Sequence, residues 1–178
     1  PELAVSTRTG TSSGRTFGEN ALRIYEIQSG TYQLVARRTG DQSTTRLCMI
    51  DHDGDGKESL LVPFDRWLKL MERDAGGISI VAELYSHGSY GLDVGDVNHD
   101  GKIDIVHAAP NAWQVEVLEN KGGGTFSTRI IGGRNQTPYY IDGLETGDVD
   151  GDGLNEIVMV GCCGETPPDS TISVYEYA

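Results

Sequence analysis

The stretch GDVNHDGKIDIVHA (Gly95 to Ala108) joins a polar, acidic loop to an alternating apolar segment. Oxygen-bearing side chains occupy loop positions 1, 3 and 5 (Asp96, Asn98 and Asp100), and Gly101 follows at position 6. On a tightly curled backbone these alternate side chains turn inward, and glycine permits the positive-φ bend that closes the curl. The alternation of IDIVHA predicts a β-strand directly after the loop.

The same pattern occurs three times in the chain. DHDGDGKESLLV begins at Asp51, DVNHDGKIDIVH at Asp96 and DVDGDGLNEIVM at Asp148, so that the copies start 45 and 52 residues apart. Further alternating segments follow each loop, which gives about four short strands per period. Repeats of this length with four strands are typical of the blades of a β-propeller.

The sequence therefore predicts an all-β fold, a single partial β-propeller domain of four-stranded antiparallel blades. Its repeats span approximately 1–50, 51–95, 96–147 and 148–178. In the first repeat we expect four successive strands at ELAVST, ALRIYEIQ, YQLVARRT and RLCMI, and in the last repeat only two. The apolar spacing of FDRWLKLMERD fits a helix as well as a strand, and the order of the repeats favours the strand. A hairpin turn is expected at Gly122–Gly124.

These strands amount to about three and a half blades, whereas propellers close with about four to eight. We expect the missing blades to come from the rest of a longer chain or from a second copy, in a ring that is seven-bladed. Glu2 stands at position 9 of a copy whose loop would precede Pro1, which favours the longer chain.

The charge of the chain narrows its possible partners. The 178 residues include 27 acidic and 14 basic side chains, a net charge of −13. Such a field repels nucleic acid and anionic membranes, and no apolar run approaches the roughly 20 residues that span a bilayer. Divalent cations are the natural complement, and three Ca²⁺ would bring the charge to about −7.

The acidic loops predict calcium sites. Hard oxygen ligands on a flexible loop suit Ca²⁺ better than Mg²⁺, which requires strict octahedral geometry, and no Cys or His pair offers a zinc site. An EF-hand is excluded because position 12 is Val62, His107 or Met159 and the following segments alternate like strands. A turn whose Asp residues bond only their own backbone is the alternative, but three phased copies favour a metal.

YGLDVGDVNHDGKIDIVHAAP and DGLETGDVDGDGLNEIVMVG resemble FG-GAP/VCBS repeats, the calcium-loop blades of integrin α-type propellers. The resemblance implies that each loop joins the outermost strand of one blade to the innermost strand of the next and holds Ca²⁺. Residues 57, 102 and 154 would contribute their backbone carbonyls, and the implied ligands are Asp51, Asp53, Asp55 and Lys57; Asp96, Asn98, Asp100, Lys102 and Asp104; Asp148, Asp150, Asp152, Leu154 and Glu156. The first site is expected to be the weakest, because Ser59 stands at position 9, unless Glu58 reaches the cation.

These features predict an extracellular or cell-surface module that binds calcium and serves adhesion, recognition or structural assembly, with a protein or glycan partner. We expect no enzymatic activity and no catalytic residues, since Ser86-His87-Gly88-Ser89 lacks an oriented third member. Two alternatives remain open. One is a carbohydrate-active propeller, either a lectin or a polysaccharide lyase, and the other is a structural subunit of an extracellular polymer.

Several side chains lie outside this scheme. His52 and His99 are expected to be solvated loop residues. Pairing among Cys48, Cys162 and Cys163 is left open, as is glycosylation of Asn135. The aromatic residues Trp113, Tyr139 and Tyr140 are expected to pack between blades, with stacking on sugar rings as the alternative.

Overall fold

A computed structural model describes residues 2–7, 10–12, 15–17, 21–39, 46–64, 66–86, 91–109, 114–131, 140–162 and 170–177. Every regular element in these ranges is a β-strand, and all strand pairs are antiparallel. The predicted all-β fold is therefore confirmed. Across the described ranges, no helix has the length and apolarity needed to cross a membrane.

The first five strands form one sheet and a small hairpin. They are β1 (Glu2–Thr7), β2 (Gly10–Ser12), β3 (Arg15–Phe17), β4 (Ala21–Gln28) and β5 (Thr31–Thr39). Sheet 1 has the strand order β1-β4-β5, while β2 and β3 pair only with each other. The strands at ELAVST, ALRIYEIQ and YQLVARRT are confirmed, and the β2–β3 hairpin was not predicted.

Three further sheets follow along the chain. Sheet 2 contains β6 (Cys48–Ile50), β7 (Ser59–Phe64), β8 (Trp67–Asp74) and β9 (Gly77–Tyr85). Sheet 3 contains β10 (Leu92–Gly95), β11 (Asp104–Ala109), β12 (Gln114–Gly122) and β13 (Thr125–Ile131). Sheet 4 contains β14 (Tyr140–Gly147), β15 (Glu156–Cys162) and β16 (Ser170–Tyr175). Strands follow one another in sequence order, and the strand prediction for FDRWLKLMERD is confirmed by β8.

Each acidic loop lies inside one sheet, where it connects the first strand to the second. The expectation that these loops join one blade to the next is wrong. The short loop curls back on itself, so its two flanking strands run side by side and pair, as Ile50 does with Ser59. RLCMI therefore opens sheet 2 rather than ending the first repeat, and sheet 4 has three described strands rather than the two expected.

The four sheets pack face to face, with an apolar core between each consecutive pair. The buried members are Leu22, Leu60, Val62 and Met71 between sheets 1 and 2; Ile50, Leu61, Leu68, Leu70, Leu92, Ile105 and Leu118 between sheets 2 and 3; and Val97, Val106, Ala108, Val115, Val117, Leu144, Ile157, Met159 and Tyr177 between sheets 3 and 4. Burial of each large side chain contributes about 1.5–3 kcal/mol. β10 contacts both β6 and β14, so the first strands of sheets 2, 3 and 4 lie side by side.

The hairpin predicted at the glycine run is confirmed between β12 and β13. Gly122, Gly123 and Gly124 all have positive φ, at 85°, 60° and 74°. The turn lies against the first acidic loop, since a Cβ at Gly124 would stand 3.8 Å from atoms of His52 and Asp53. Sheet 3 therefore contacts the loop of sheet 2 through this hairpin.

A buried imidazole and carboxylate face each other within sheet 3. His107 on β11 is paired in register with Glu116 on β12, and their side chains are 0% and 3% exposed. The Nε2 and Oε2 atoms are 2.9 Å apart, and neither ring nitrogen of His107 is hydrogen-bonded within the described part of the chain. The two side chains are therefore in direct contact without a well-aligned hydrogen bond.

Glu119 on β12 forms a polar contact between sheets 3 and 4. Its carboxylate accepts hydrogen bonds from the Lys121 ammonium, the Tyr177 hydroxyl and the Ser127 hydroxyl. The Lys121 and Tyr177 contacts lower the pKa of Glu119 to about 2. Burial, together with the Glu119 contact, raises the pKa of Tyr177.

The stability of the protein is expected to depend on Glu119 in acid. The folded-state pKa lies below the ordinary value of 4.5, so the contribution of this carboxylate is complete above pH 4.5 and is lost as pH falls toward about 2. Urea unfolding between pH 6 and pH 2.5 should therefore give a shallower decline of the unfolding free energy for Glu119→Gln than for the unaltered chain. Two parallel curves across this range would contradict the assignment.

Candidate metal centres

The first residue of each acidic loop organises the loop backbone. In loop 1, Asp51 accepts hydrogen bonds from the backbone N–H groups of Gly54 at 2.9 Å and Gly56 at 3.0 Å. Asp96 and Asp148 each accept two backbone N–H groups of their own loops in the same way. The position 1 carboxylate thus holds the curl in shape.

The side chains at positions 3 and 5 also accept hydrogen bonds from the loop backbone. The Asp53 side chain accepts from the N–H of Asp55 at 3.2 Å, and the Asp55 side chain accepts from the N–H of Lys57 at 2.8 Å. The other loops repeat both bonds. An ionised carboxylate has about four acceptor sites, so these bonds leave oxygen lone pairs for a cation. The backbone-bonding turn and the metal site are therefore compatible.

The glycine at position 6 adopts the predicted conformation. Gly56, Gly101 and Gly153 have φ values of 83°, 82° and 90°. Loop 2 carries one strained residue, since His99 has φ 60° at position 4, where the other loops have glycine. His99 is exposed, as expected.

The structure brings the predicted carboxylates together in loops 1 and 3. One ligand oxygen each from Asp51, Asp53 and Asp55 lies within 4.8 Å of the others. In loop 3 the same holds for Asp148, Asp150 and Glu156, and a second group joins Asp150 and Asp152 to Glu176. Glu176 was not predicted, and it places a further carboxylate beside loop 3.

Asp104, at position 9 of loop 2, supplies the sharpest indication of a cation. Its Oδ1 accepts from the Asn120 N–H at 2.8 Å and from Asn98 Nδ2 at 3.4 Å. Its Oδ2 is buried and has no partner among the described residues. Burial raises the pKa of Asp104, while the backbone N–H groups of Asn120, Asn98 and Val97 act in the opposite direction. The donor set of loop 2 thus fits a hard cation.

Lysine side chains distinguish the loops. Lys57 Nζ lies 2.9 Å from Asp55 Oδ2, and Lys102 Nζ lies 2.9 Å from Asp100 Oδ2. Both contacts lower the pKa of the aspartate concerned. Loop 3 has Leu154 at the corresponding position, so no ammonium group offsets its negative charge there, and we expect it to attract a cation most strongly.

Loop 1 departs from the others at position 9. Ser59 is buried, and its Oγ donates to Glu72 Oε1 at 2.9 Å and lies 3.0 Å from His52 Nδ1. The expectation that His52 is solvated is wrong, because position 2 faces the interior in this loop and His52 is only 6% exposed. Glu58 is exposed and does not belong to the converging carboxylates of loop 1.

In each sheet a glutamate lies opposite position 9 of the acidic loop, at the strand that is third in a four-stranded sheet. The sequence analysis did not predict this glutamate. Glu26 is paired in register with Glu2 of sheet 1, and Glu72, Glu119 and Glu176 hold the corresponding place in the other sheets. The last three follow position 1 of their loops by 21, 23 and 28 residues. This variable spacing hid the repeat, which only the pairing of strands reveals.

Of the remaining predictions, one concerns a described residue and the others concern residues outside the described part of the chain. Cys48 is a half-buried free thiol, and burial raises its pKa to about 11. Position 163 and the side chain of Cys162 lie outside the described residues. So do Asn135, Trp113, Tyr139, the side chain of Tyr140, and the segment 87–90.

The chain was compared with known proteins and families. Residues 96–159 match the model of the FG-GAP-like repeat, from position 1 of loop 2 through loop 3 into β15. No curated protein gave a match. FG-GAP repeats are typical of extracellular proteins. The matched segment contains the two loops whose position 9 is acidic, and the match supports an FG-GAP-type repeat family.

Proposed function

We propose that the chain is a calcium-binding part of an extracellular β-propeller that serves adhesion, recognition or structural assembly. The observation that carries this proposal is the buried Oδ2 of Asp104, which has no hydrogen-bond partner among the described residues and belongs to a loop with three further oxygen-bearing side chains at positions 1, 3 and 5. A buried carboxylate oxygen without a hydrogen bond costs free energy that a bound cation would recover. In loops 1 and 3, three carboxylates each place ligand oxygens within 4.8 Å of one another.

The residues that would hold the ions are those of the three loops. They are Asp51, Asp53, Asp55 and the carbonyl of Lys57; Asp96, Asn98, Asp100, Asp104 and the carbonyl of Lys102; and Asp148, Asp150, Asp152, Glu156 and the carbonyl of Leu154, with Glu176 as an added carboxylate beside loop 3. Bound Ca²⁺ supplies positive charge that relieves repulsion among these carboxylates. Its role is structural, because it ties together the loop between two paired strands.

The arrangement of the sheets supports a propeller. Consecutive sheets pack face to face, and the first strands of sheets 2, 3 and 4 lie next to one another. This is the relation that blades have around a propeller axis. Rigid sheets with loops at both ends provide a surface for binding a protein or a glycan, and nothing in this role requires catalysis.

The chemistry of the loops and the FG-GAP-like match support an extracellular location. Calcium loops of extracellular modules work at millimolar concentrations, which a reducing, calcium-poor cytosol does not provide. The net charge of −13 disfavours nucleic acid as the partner.

Calcium stoichiometry tests the proposal. Native mass spectrometry and calorimetric titration of the chelated chain should show three Ca²⁺ per molecule, with loop 3 filled first. Asp51→Asn, Asp96→Asn and Asp148→Asn should each weaken one site. Glu83→Gln is a control, because Glu83 contacts Lys69 and lies in the half of sheet 2 that is farther from loop 1. Failure to bind Ca²⁺ at millimolar concentration would refute the proposal.

A further inference from the structure

Three aromatic residues form a row across sheet 2, at the end of the strands opposite its acidic loop. Phe64 on β7 is paired in register with Trp67 on β8, and Trp67 with Tyr85 on β9. Trp67 and Tyr85 are 41% and 51% exposed, and Phe64 is half-buried. Phe64 is the fifth residue after Ser59 on β7, so this aromatic row lies about 17 Å along the strand from loop 1.

The architecture that the sheets share does not require the aromatic row. The corresponding positions hold Thr7, Ala21 and Thr39 in sheet 1, Ala109 and Gln114 in sheet 3, and Gly161 and Thr171 in sheet 4. Within the described ranges, the core between sheets 1 and 2 includes Leu60 and Val62 on the same face of β7 but none of the three aromatic residues. Exposed aromatic side chains that the packing does not use indicate a binding surface.

Contacts within sheet 2 fix the position of the Trp67 ring. The rings of Trp67 and Tyr85 meet edge to face, with their centroids 5.4 Å apart and an angle of 86° between their planes. The Ser86 N–H donates to the Arg66 carbonyl at 2.8 Å, which ties the end of β9 to the turn between β7 and β8. A ring that is already held in place loses little conformational entropy when a ligand binds.

The charged groups beside the aromatic row do not form a cluster of one sign. In the adjacent pair on the same face, Lys69 Nζ lies 3.3 Å from Glu83 Oε1 and 4.0 Å from the centre of the Phe64 ring. The Lys69 charge is therefore balanced within the sheet. Arg66, next to Trp67, is exposed, and its guanidinium group carries five N–H donors that suit hydroxyl oxygens as well as anions.

A neutral sugar matches these features. A sugar ring has C–H groups on one face, which stack on a flat aromatic ring, and hydroxyl groups at its edge, which accept hydrogen bonds from a guanidinium group. The net charge of −13 disfavours an anionic polysaccharide. Proline-rich peptides dock in grooves lined by aromatic rings, whereas the edge-to-face contact closes the space between Trp67 and Tyr85.

We propose that Trp67 is the stacking platform of a site for neutral carbohydrate, with Tyr85 orienting its ring and Arg66 binding sugar hydroxyls. This inference rests on the proposed recognition role and names the chemical class of the partner. The aromatic row contains none of the predicted calcium ligands. Carbohydrate binding and Ca²⁺ binding are therefore separate properties that can be measured independently.

An array of neutral and uronic-acid-containing oligosaccharides, probed with the chain in excess Ca²⁺, is the first measurement. Neutral oligosaccharides should be retained, and calorimetric titration with a retained one should show that Trp67→Ala raises the dissociation constant by about tenfold or more. Trp67→Phe keeps a flat ring and should stay within about threefold of the unaltered chain. Tyr32→Ala is a matched control, because Tyr32 is 60% exposed on β5 and lies outside the aromatic row.

Several results would overturn the carbohydrate site. They are an unchanged dissociation constant for Trp67→Ala, retention of uronic-acid-containing sugars alone, and binding of a proline-rich peptide that depends on Trp67. Should Trp67→Ala not fold, fluorescence provides the test. The chain has two tryptophans, so in Trp113→Phe the emission reports on Trp67. It should shift when a retained oligosaccharide is added, and constant emission would contradict the proposal.

Calcium titration of the same proteins separates this inference from the proposed function. Trp67→Ala should bind Ca²⁺ as the unaltered chain does, because the aromatic row lies at the other end of the strands. If the chain binds Ca²⁺ but retains no neutral oligosaccharide at millimolar concentration, the carbohydrate site is refuted and the calcium proposal stands. If it binds no Ca²⁺, the calcium proposal fails whatever the array shows.

Discussion

Saturating Ca²⁺ is expected to raise the melting temperature of the chelator-treated protein by at least about 5 °C. A ligand that binds only the folded state at 100 times its dissociation constant stabilises it by about 2.7 kcal/mol per site. For a chain of this size, each kcal/mol corresponds to roughly 2–4 °C. The shift arises because three carboxylate groups in loop 1, and more in loop 3, repel one another until a cation binds.

Differential scanning calorimetry in EDTA and then in excess Ca²⁺ gives the measurement. Asp148→Asn should remove a larger part of the shift than Asp51→Asn, since loop 3 has no lysine at position 7 and carries Glu156 at position 9. Mg²⁺ at the same concentration should have a smaller effect, because it demands stricter geometry. Equal melting temperatures in EDTA and in calcium would show that the loops are ordinary turns.

Loss of one member of the buried His107–Glu116 pair of sheet 3 is expected to destabilise the protein strongly, whereas replacement of both members by leucine should have a much smaller effect. His107→Leu removes the imidazole that lies 2.9 Å from the buried Glu116 carboxylate and should lower the unfolding free energy by about 3–5 kcal/mol. The double variant His107→Leu with Glu116→Leu should recover most of this loss, because both polar groups are gone and the site already adjoins the apolar core between sheets 2 and 3.

Urea unfolding of the four members of this cycle measures the coupling between the two residues. Each member should be checked for an unchanged dependence of the free energy on urea concentration, so that the comparison concerns stability alone. Additive losses in the double variant would show that His107 and Glu116 are stabilised by other groups rather than by each other.

The parts of the structure that local chemistry specifies could be predicted from the sequence. Alternating side chains identified β4 and β12, and the 1-3-5 oxygens with Gly101 identified the loops, since each depends on residues a few positions apart. The sheet in which a strand pairs depends on distant contacts. β6 was therefore assigned to the wrong sheet, although its position in the chain was right.

The dependence on distant contacts also explains which residues of the candidate site were missed. Glu72 and Glu176 meet the loops only because their strands pair beside position 9, and their distance along the chain varies. His52 looked like a solvated loop residue because its neighbours are acidic. Its burial comes from Gly124 of the next sheet, some 70 residues away, which no local pattern could indicate.

Because the strands of each sheet follow one another as a meander, the connections between them lie alternately at the two ends of the strands. The acidic loop and the hairpin between strands three and four share one end, as the approach of Gly124 to His52 shows. Between strands two and three, at the other end, two residues separate β7 from β8, four separate β11 from β12, and seven separate β15 from β16. The length of the connection thus varies at the end of the strands that lies opposite the acidic loops. Peptides grafted between β11 and β12 should therefore leave these loops undisturbed, which makes the fold a scaffold for directed evolution of binding.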